Sequence, residues 1–119
     1  MDIQELRREA QTMQPQLTAD RRRLHRNPEA GAVLPETVAY VKERLTEMGY
    51  HPQELGGGLT ATVTGTDTGR CILLRADMDA LRGQEQSGLS FRSENGCMHA
   101  CGHDMHTAML LGAAKLLRG

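Results

Sequence analysis

The sequence predicts an α/β layer sandwich, and three observations carry that expectation. Two stretches near the amino terminus repeat apolar residues at helical spacing, a central region holds short runs patterned as strands, and an apolar helix follows a long polar connection. Elements of these kinds bury their apolar faces by stacking in layers. At 119 residues the chain has the size of one domain, which buries roughly two-thirds of the surface its unfolded form exposes.

Residues 3–27 place Ile3, Leu6, Ala10, Met13, Leu17 and Leu24 at roughly helical spacing, with Pro15 expected to kink or restart the helix and "NPEAG" to stop it. A second helix is expected from Pro35, with Val38, Val41, Leu45 and Met48 as its apolar stripe and Gly49 as its carboxyl-terminal cap. Three candidate strands follow. "HPQEL" is short, "LTATVTG" alternates apolar residues with threonine, and "CILLRA" is the continuous apolar run of a strand covered on both faces. "TDTGR" reads as the turn between the last two. Cys71, inside the apolar run, is expected to be a buried small hydrophobe. The polar, glycine-dotted stretch after Ala76 is long for a structureless connection, a length that usually serves function. The final helix is expected from about Asp104 to Leu117, and its apolar residues on nearly every side predict burial all round.

Fourteen basic against fifteen acidic residues give a formal net charge of -1, which calls for neither nucleic acid nor an anionic membrane surface. The run Arg21, Arg22, Arg23 reads as a solvated helix face rather than a phosphate patch. The start is charged and lacks the apolar core of a secretory signal, and no run approaches a membrane span, so a cytoplasmic protein is expected. An odd count of three cysteines argues against a disulfide framework and leaves thiols for metal or burial.

Chemistry concentrates in "GCMHACGHDMH", eleven positions with three histidines, two cysteines and an aspartate. Thiolate and imidazole suit zinc and its transition-metal neighbours, and Cys101 and His103, with a glycine between them, can reach one ion. Asp104 can cap the helix or accept the second ring proton of a ligand histidine, beside the metal without binding it. His106, three residues beyond His103, shares its helical face and is expected to line the same pocket. His99 is a weaker candidate, and His25 and His51 read as surface or turn residues. A structural zinc knuckle from Cys97, Cys101, His103 and His106 is the competing reading, but its spacing is tighter than common zinc modules and would strain the helix start. The second constellation is "LLRADMDAL", where an apolar run meets Asp77 and Asp79. Ionised carboxylates at a strand end are costly without a cation nearby, and ligands of open α/β sheets bind beyond such ends. Arg75 offers Asp77 a plain ion pair, whereas Asp79 is read as functional.

"RRRLHRNPEAG", "ETVAYVKERLTEMGY", "LRADMDAL", "QEQSGLSF" and "MHACGHDMHTAMLLGAAKLL" together resemble the metal-dependent amidohydrolases of the aminoacylase and hippurate hydrolase type, in peptidase clan MH. The resemblance implies the amino-terminal part of a metallo-amidohydrolase catalytic domain, spanning residues 1–119. It implies a three-layer α/β/α sandwich with a mixed sheet that is incomplete at its carboxyl-terminal end. It also implies a site of two divalent metals, zinc or manganese, with Cys101 and His103 as ligands and Asp79 as the aspartate that orients or polarises the site. Asp77 stands where sister families place a metal-binding histidine and is not taken as a ligand. Arg82 and Met105 depart from a proline and a glycine common in the family. The remaining ligands, a catalytic glutamate and a lid domain through which the family commonly dimerises lie outside these residues. The implied reaction is hydrolysis of N-acyl amino acids or small peptides. The alternative is a non-catalytic metal-binding or partner-binding chain.

Overall fold

A computed structural model describes residues 2–66 and 69–118. Helix α1 (Ile3–Thr12) opens with a capping box: Asp2 accepts from the Glu5 amide at 2.8 Å, and Glu5 accepts from the Asp2 amide at 3.2 Å. Met13 ends α1 and starts α2 (Gln14–Arg26), whose first turn contains Pro15. Proline has no N–H to give and its fixed φ suits a helix start, so the break falls where the sequence predicts a restart.

Helix α3 (Pro35–Glu47) lacks a side-chain cap of its own. Its free amides are met from the preceding loop, where Glu29 accepts from Thr37 at 2.6 Å and from Glu36 at 3.2 Å. At the other end Gly49 takes φ of 93°, and the Tyr50 amide turns back to the Leu45 carbonyl at 3.0 Å. Leu24, Val41, Leu45, Tyr50 and Leu111 form the core, so α2, α3 and α4 (His103–Arg118) close on one another. The Tyr50 hydroxyl donates to the Ala114 carbonyl at 2.7 Å and ties α4 to the end of α3.

Helix α4 buries one stripe, Asp104, Thr107, Ala108, Leu111 and Gly112, while Met105 and Met109 face solvent. The expected all-round burial is therefore corrected. The described helices cover one side of α4, and that side takes the residues spaced i, i+3, i+4 and i+7.

Strands are fewer and shorter than the pattern suggests. β1 (Gln53–Leu55) and β2 (Gly58–Thr60) form an antiparallel hairpin pairing Gln53 with Thr60, and β3 (Leu81–Arg82) pairs with β4 (Cys97–Met98) antiparallel. Ala30 and Ala80 add one parallel bridge, with the Ala80 amide donating to the Glu29 carbonyl at 2.7 Å. The class is mixed α/β with two small two-stranded sheets. The run "CILLRA" is not a strand here: Ile72 and Leu73 are 85% and 86% exposed, and Cys71 is exposed rather than buried. A strand covered on both faces needs paired edges and two covering layers, and the described residues supply neither at this run. The turn expected at 66–70 includes residues 67 and 68, outside the described residues. The long connection after Ala76 is organised by the β3–β4 pair. No helix among the described residues is long and apolar enough to cross a membrane.

Candidate metal centre

The approach to α4 is a sharp turn. Gly102 takes φ of 80°, a conformation that costs glycine little, and its carbonyl accepts from the amides of Met105 and His106, each at 3.1 Å. Cys101, exposed, precedes the turn, and His103, half-buried, is the first residue of the helix.

The extended chain that follows "CILL" delivers Asp77 and Asp79 to this helix start. Thr107 fixes the approach, because its hydroxyl lies 2.9 Å from the Asp77 carbonyl and 2.8 Å from the His103 carbonyl. His103 Nδ1 is 2.9 Å from both the Asp79 carbonyl oxygen and its carboxylate Oδ1. Both oxygens can accept and neither can donate, so the geometry places the ring proton on Nδ1. In the neutral ring Nε2 is then the lone-pair nitrogen, and it lies 3.8 Å from Asp77 Oδ2. Asp77 is also ion-paired to Arg75. His106 stacks on His103, with ring centroids 5.8 Å apart. Among the described residues, no three His, Cys, Asp or Glu side chains converge on a point that could hold a metal ion.

Beneath the helix start lies a second polar cluster. Asp104 is 1% exposed and its Oδ2 receives Arg21 Nε at 2.9 Å and His25 Nδ1 at 2.8 Å. The other ring nitrogen of His25 is 2.9 Å from Glu85 Oε1, close but not aligned as a hydrogen bond. Burial pushes the Asp104 carboxyl up, but donation from His25, the Met105 amide and Arg21 outweighs it and holds the group below its ordinary value. Burial likewise opposes ionisation of Glu85, yet the Ser87 hydroxyl, the Ser93 amide and His25 hold its carboxyl down at about 2. His99 is buried, neither ring nitrogen has a hydrogen-bond partner among the described residues, and burial lowers its basicity.

Several expectations change. His25 is no surface residue but 8% exposed at the centre of a charged cluster. Asp104 accepts its ring proton from His25, while Asp79 fills that role for His103. The arginine run is not simply solvated: Arg21 and Arg22 flank the Phe91 ring at 5.1 and 4.8 Å, and Arg23 sits over Tyr40 at 5.3 Å. The available signal was the spacing of Leu17, Arg21 and His25, which shows two polar residues sharing one helical face with an apolar one. Glu85 carries no such signal within its loop.

A carboxylate-held imidazole and an exposed thiol thus stand two residues apart at a helix start, and the chain is similar to hydrolases. Residues 73–119 match Peptidase family M20/M25/M40. The similarity extends over most of the chain in individual relatives. N-acetyl-L-cysteine deacetylase of Bacillus subtilis is 47% identical over 110 residues, 90% of this chain and 26% of the relative. N-acyl-L-amino acid amidohydrolase of Geobacillus stearothermophilus is 40% identical over 121 aligned positions, 98% of this chain and 32% of the relative. A crystal structure described as a dinuclear metal binding peptidase from the M20 family, from Bacillus subtilis, superposes with a TM-score of 0.85 at 38% identity, covering 91% of this chain and 31% of that one. The chain thus spans under a third of the length of these relatives.

Proposed function

We propose that this chain contributes part of the catalytic domain of a two-metal amidohydrolase that cleaves N-acyl amino acids. The observation that carries the reading is the His103–Asp79 pair at 2.9 Å, which favours the Nδ1–H tautomer of the neutral ring and leaves the Nε2 lone pair for a metal. Two donors are of the kind a divalent transition metal takes, the thiol of Cys101 and the imidazole of His103, and the Asp77 carboxylate lies 3.8 Å from Nε2 of that ring. The thiol favours zinc, and carboxylates beyond those described here would admit manganese. In this reading Cys101 and His103 hold metal, Asp79 orients His103, and Asp77, Asp104 and His106 line or brace the pocket. Divalent ions bound there would supply Lewis acidity, acidifying a water and polarising the scissile carbonyl.

The finer fold belongs to the same proposal. The exposed "CILL" run is the strand that a larger mixed sheet would pair, within a three-layer sandwich whose other strands come from outside residues 1–119. The substrate class rests on the relatives, which act on N-acetyl-L-cysteine and N-acyl-L-amino acids by their names. A dimer, through a domain outside these residues, is part of the proposal too. By themselves the described residues bring too few donors together for turnover.

The test is a chimera in which this chain replaces the matching segment of the Bacillus subtilis deacetylase. It should hydrolyse N-acetyl amino acids with zinc or manganese, and Cys101→Ser and His103→Ala should each remove most bound metal and nearly all turnover. Asp79→Asn should lower turnover more than metal content. A chimera whose metal content and rate are untouched by Cys101→Ser and His103→Ala would refute the assignment.

A further inference from the structure

Helix α2 clamps the loop between β3 and β4 along its length. Arg21 and Arg22 flank Phe91, Arg26 donates to the Ser90 carbonyl at 2.9 Å, and just past the helix the Pro28 carbonyl accepts from Asn95 at 2.8 Å. Two members of this set touch both sides: Arg21, over Phe91 and 2.9 Å from Asp104, and His25, 2.9 Å from Glu85 of the loop and 2.8 Å from Asp104 of α4. Asp104 directly follows His103 in the first turn of α4, so whatever fixes the Asp104 carboxylate also fixes the direction in which the His103 ring leaves the helix. Arg21, the other donor to Asp104, is 28% exposed and can exchange that contact for water, whereas His25 at 8% cannot.

We propose that His25 is a positioning residue of the metal centre, setting the first turn of α4, and with it the His103–Asp79 pair, through its bond to Asp104. The inference rests on the metal reading above. It also predicts which side-chain atom matters. Asparagine places an N–H near the position of Nδ1 and keeps the bond to Asp104, whereas glutamine reaches the Nε2 position and keeps contact with Glu85 alone. A merely structural histidine would not discriminate between them in this way.

The test uses the 119-residue chain with two readouts. Ring-nitrogen NMR of the metal-free chain reports which His103 nitrogen carries the proton, and titration with cobalt reports affinity. Wild type and His25→Asn should show one Nδ1–H tautomer and similar cobalt binding. His25→Gln and His25→Ala should show mixed tautomers and roughly tenfold weaker cobalt binding, the low end of what loss of a ligand's support costs. Tyr50→Phe removes the bond to Ala114 at the far end of α4 and should lower thermal stability without moving either readout. If His25→Ala fails to fold, the asparagine and glutamine variants decide. Equal behaviour of those two, or the same change in Tyr50→Phe, overturns the proposal. Cobalt affinity that ignores His103→Ala refutes the metal reading instead, while the tautomer pattern still decides the positioning role.

Discussion

Replacing Asp20 with alanine should be among the costliest single substitutions in this chain. Its side chain is 1% exposed, and its Oδ1 accepts from the Tyr40 hydroxyl at 2.6 Å, Arg44 Nε at 2.9 Å and Gln16 Nε2 at 3.2 Å. This one oxygen joins α2 to α3. Each hydrogen bond to an ionised group contributes about 1.5–3 kcal/mol, and removing one partner of a buried pair costs about 3–5 kcal/mol. Two mitigations pull the sum to the low end: Arg44 keeps Glu47 at 2.6 Å, and Gln16 is exposed enough to bond to water. We therefore expect a loss of about 3 kcal/mol for Asp20→Ala and about half that for Asp20→Asn, which keeps an uncharged acceptor. With about 2.1 cal/mol/K of unfolding entropy per residue over 119 residues, the alanine variant should melt about 12 °C lower. Urea unfolding gives the free energy directly. Burial holds the Tyr40 phenol above its ordinary pKa and the bond to Asp20 adds to this, so its alkaline titration should move down in the alanine variant. A loss below about 1 kcal/mol, the scale of one ordinary hydrogen bond, would refute the claim that this oxygen joins the two helices.

Three further outcomes follow from particular contacts. The Glu85 carboxyl titrates at about 2 when folded against an ordinary 4.5, so the unfolded chain binds its proton more readily. The stability it contributes is complete above the ordinary value and is lost as pH falls through the folded one. Glu85→Gln should flatten the acid limb of the stability profile, and unchanged urea midpoints across that range would contradict this. At Gly57 φ is +87° and a Cβ would lie 2.5 Å from the Ala32 carbonyl oxygen, so Gly57→Ala should cost about 2 kcal/mol by chemical denaturation. A neutral result would show that the hairpin is not held against Ala32. Ile72 and Leu73 are exposed apolar residues, so the 119-residue chain should self-associate, and Leu73→Lys should reduce this with little change in stability. Sedimentation showing a monodisperse wild-type monomer at high concentration would remove the premise.

The helices were legible because their signals are local. Pro15, Pro35 and Gly49 punctuate them, and Val38, Val41 and Leu45 of the expected α3 stripe are buried, while Met48 is half-buried just past the helix. The strands were less so, because "CILLRA" advertises burial that depends on partners elsewhere in space, and a run of apolar residues cannot say who those partners are. The same limit divides the site. Cys101, His103 and Asp104 stand out by crowding, and Asp79 by carboxylates at the end of an apolar run. His25 and Glu85 do not, since the contacts joining α2, the loop and α4 cross 79 residues between His25 and Asp104. Asp104 lies against the ring nitrogen of His25 rather than that of a candidate ligand histidine. A helix start offers a carboxylate two neighbouring partners, and packing against α2 decides which one it meets.

The proposed metal centre requires Cys101 and His103 to bind one divalent ion, with His103 presented by Asp79. Cobalt titration of the chain, followed by the absorption that a cobalt–thiolate bond produces, tests it most directly. The wild type should give a weak but saturable signal that disappears in Cys101→Ser while Cys97 remains, and His103→Ala, which loses a direct ligand, should bind at least about tenfold more weakly. A signal of equal strength in Cys101→Ser, or binding indifferent to His103→Ala, would contradict that requirement.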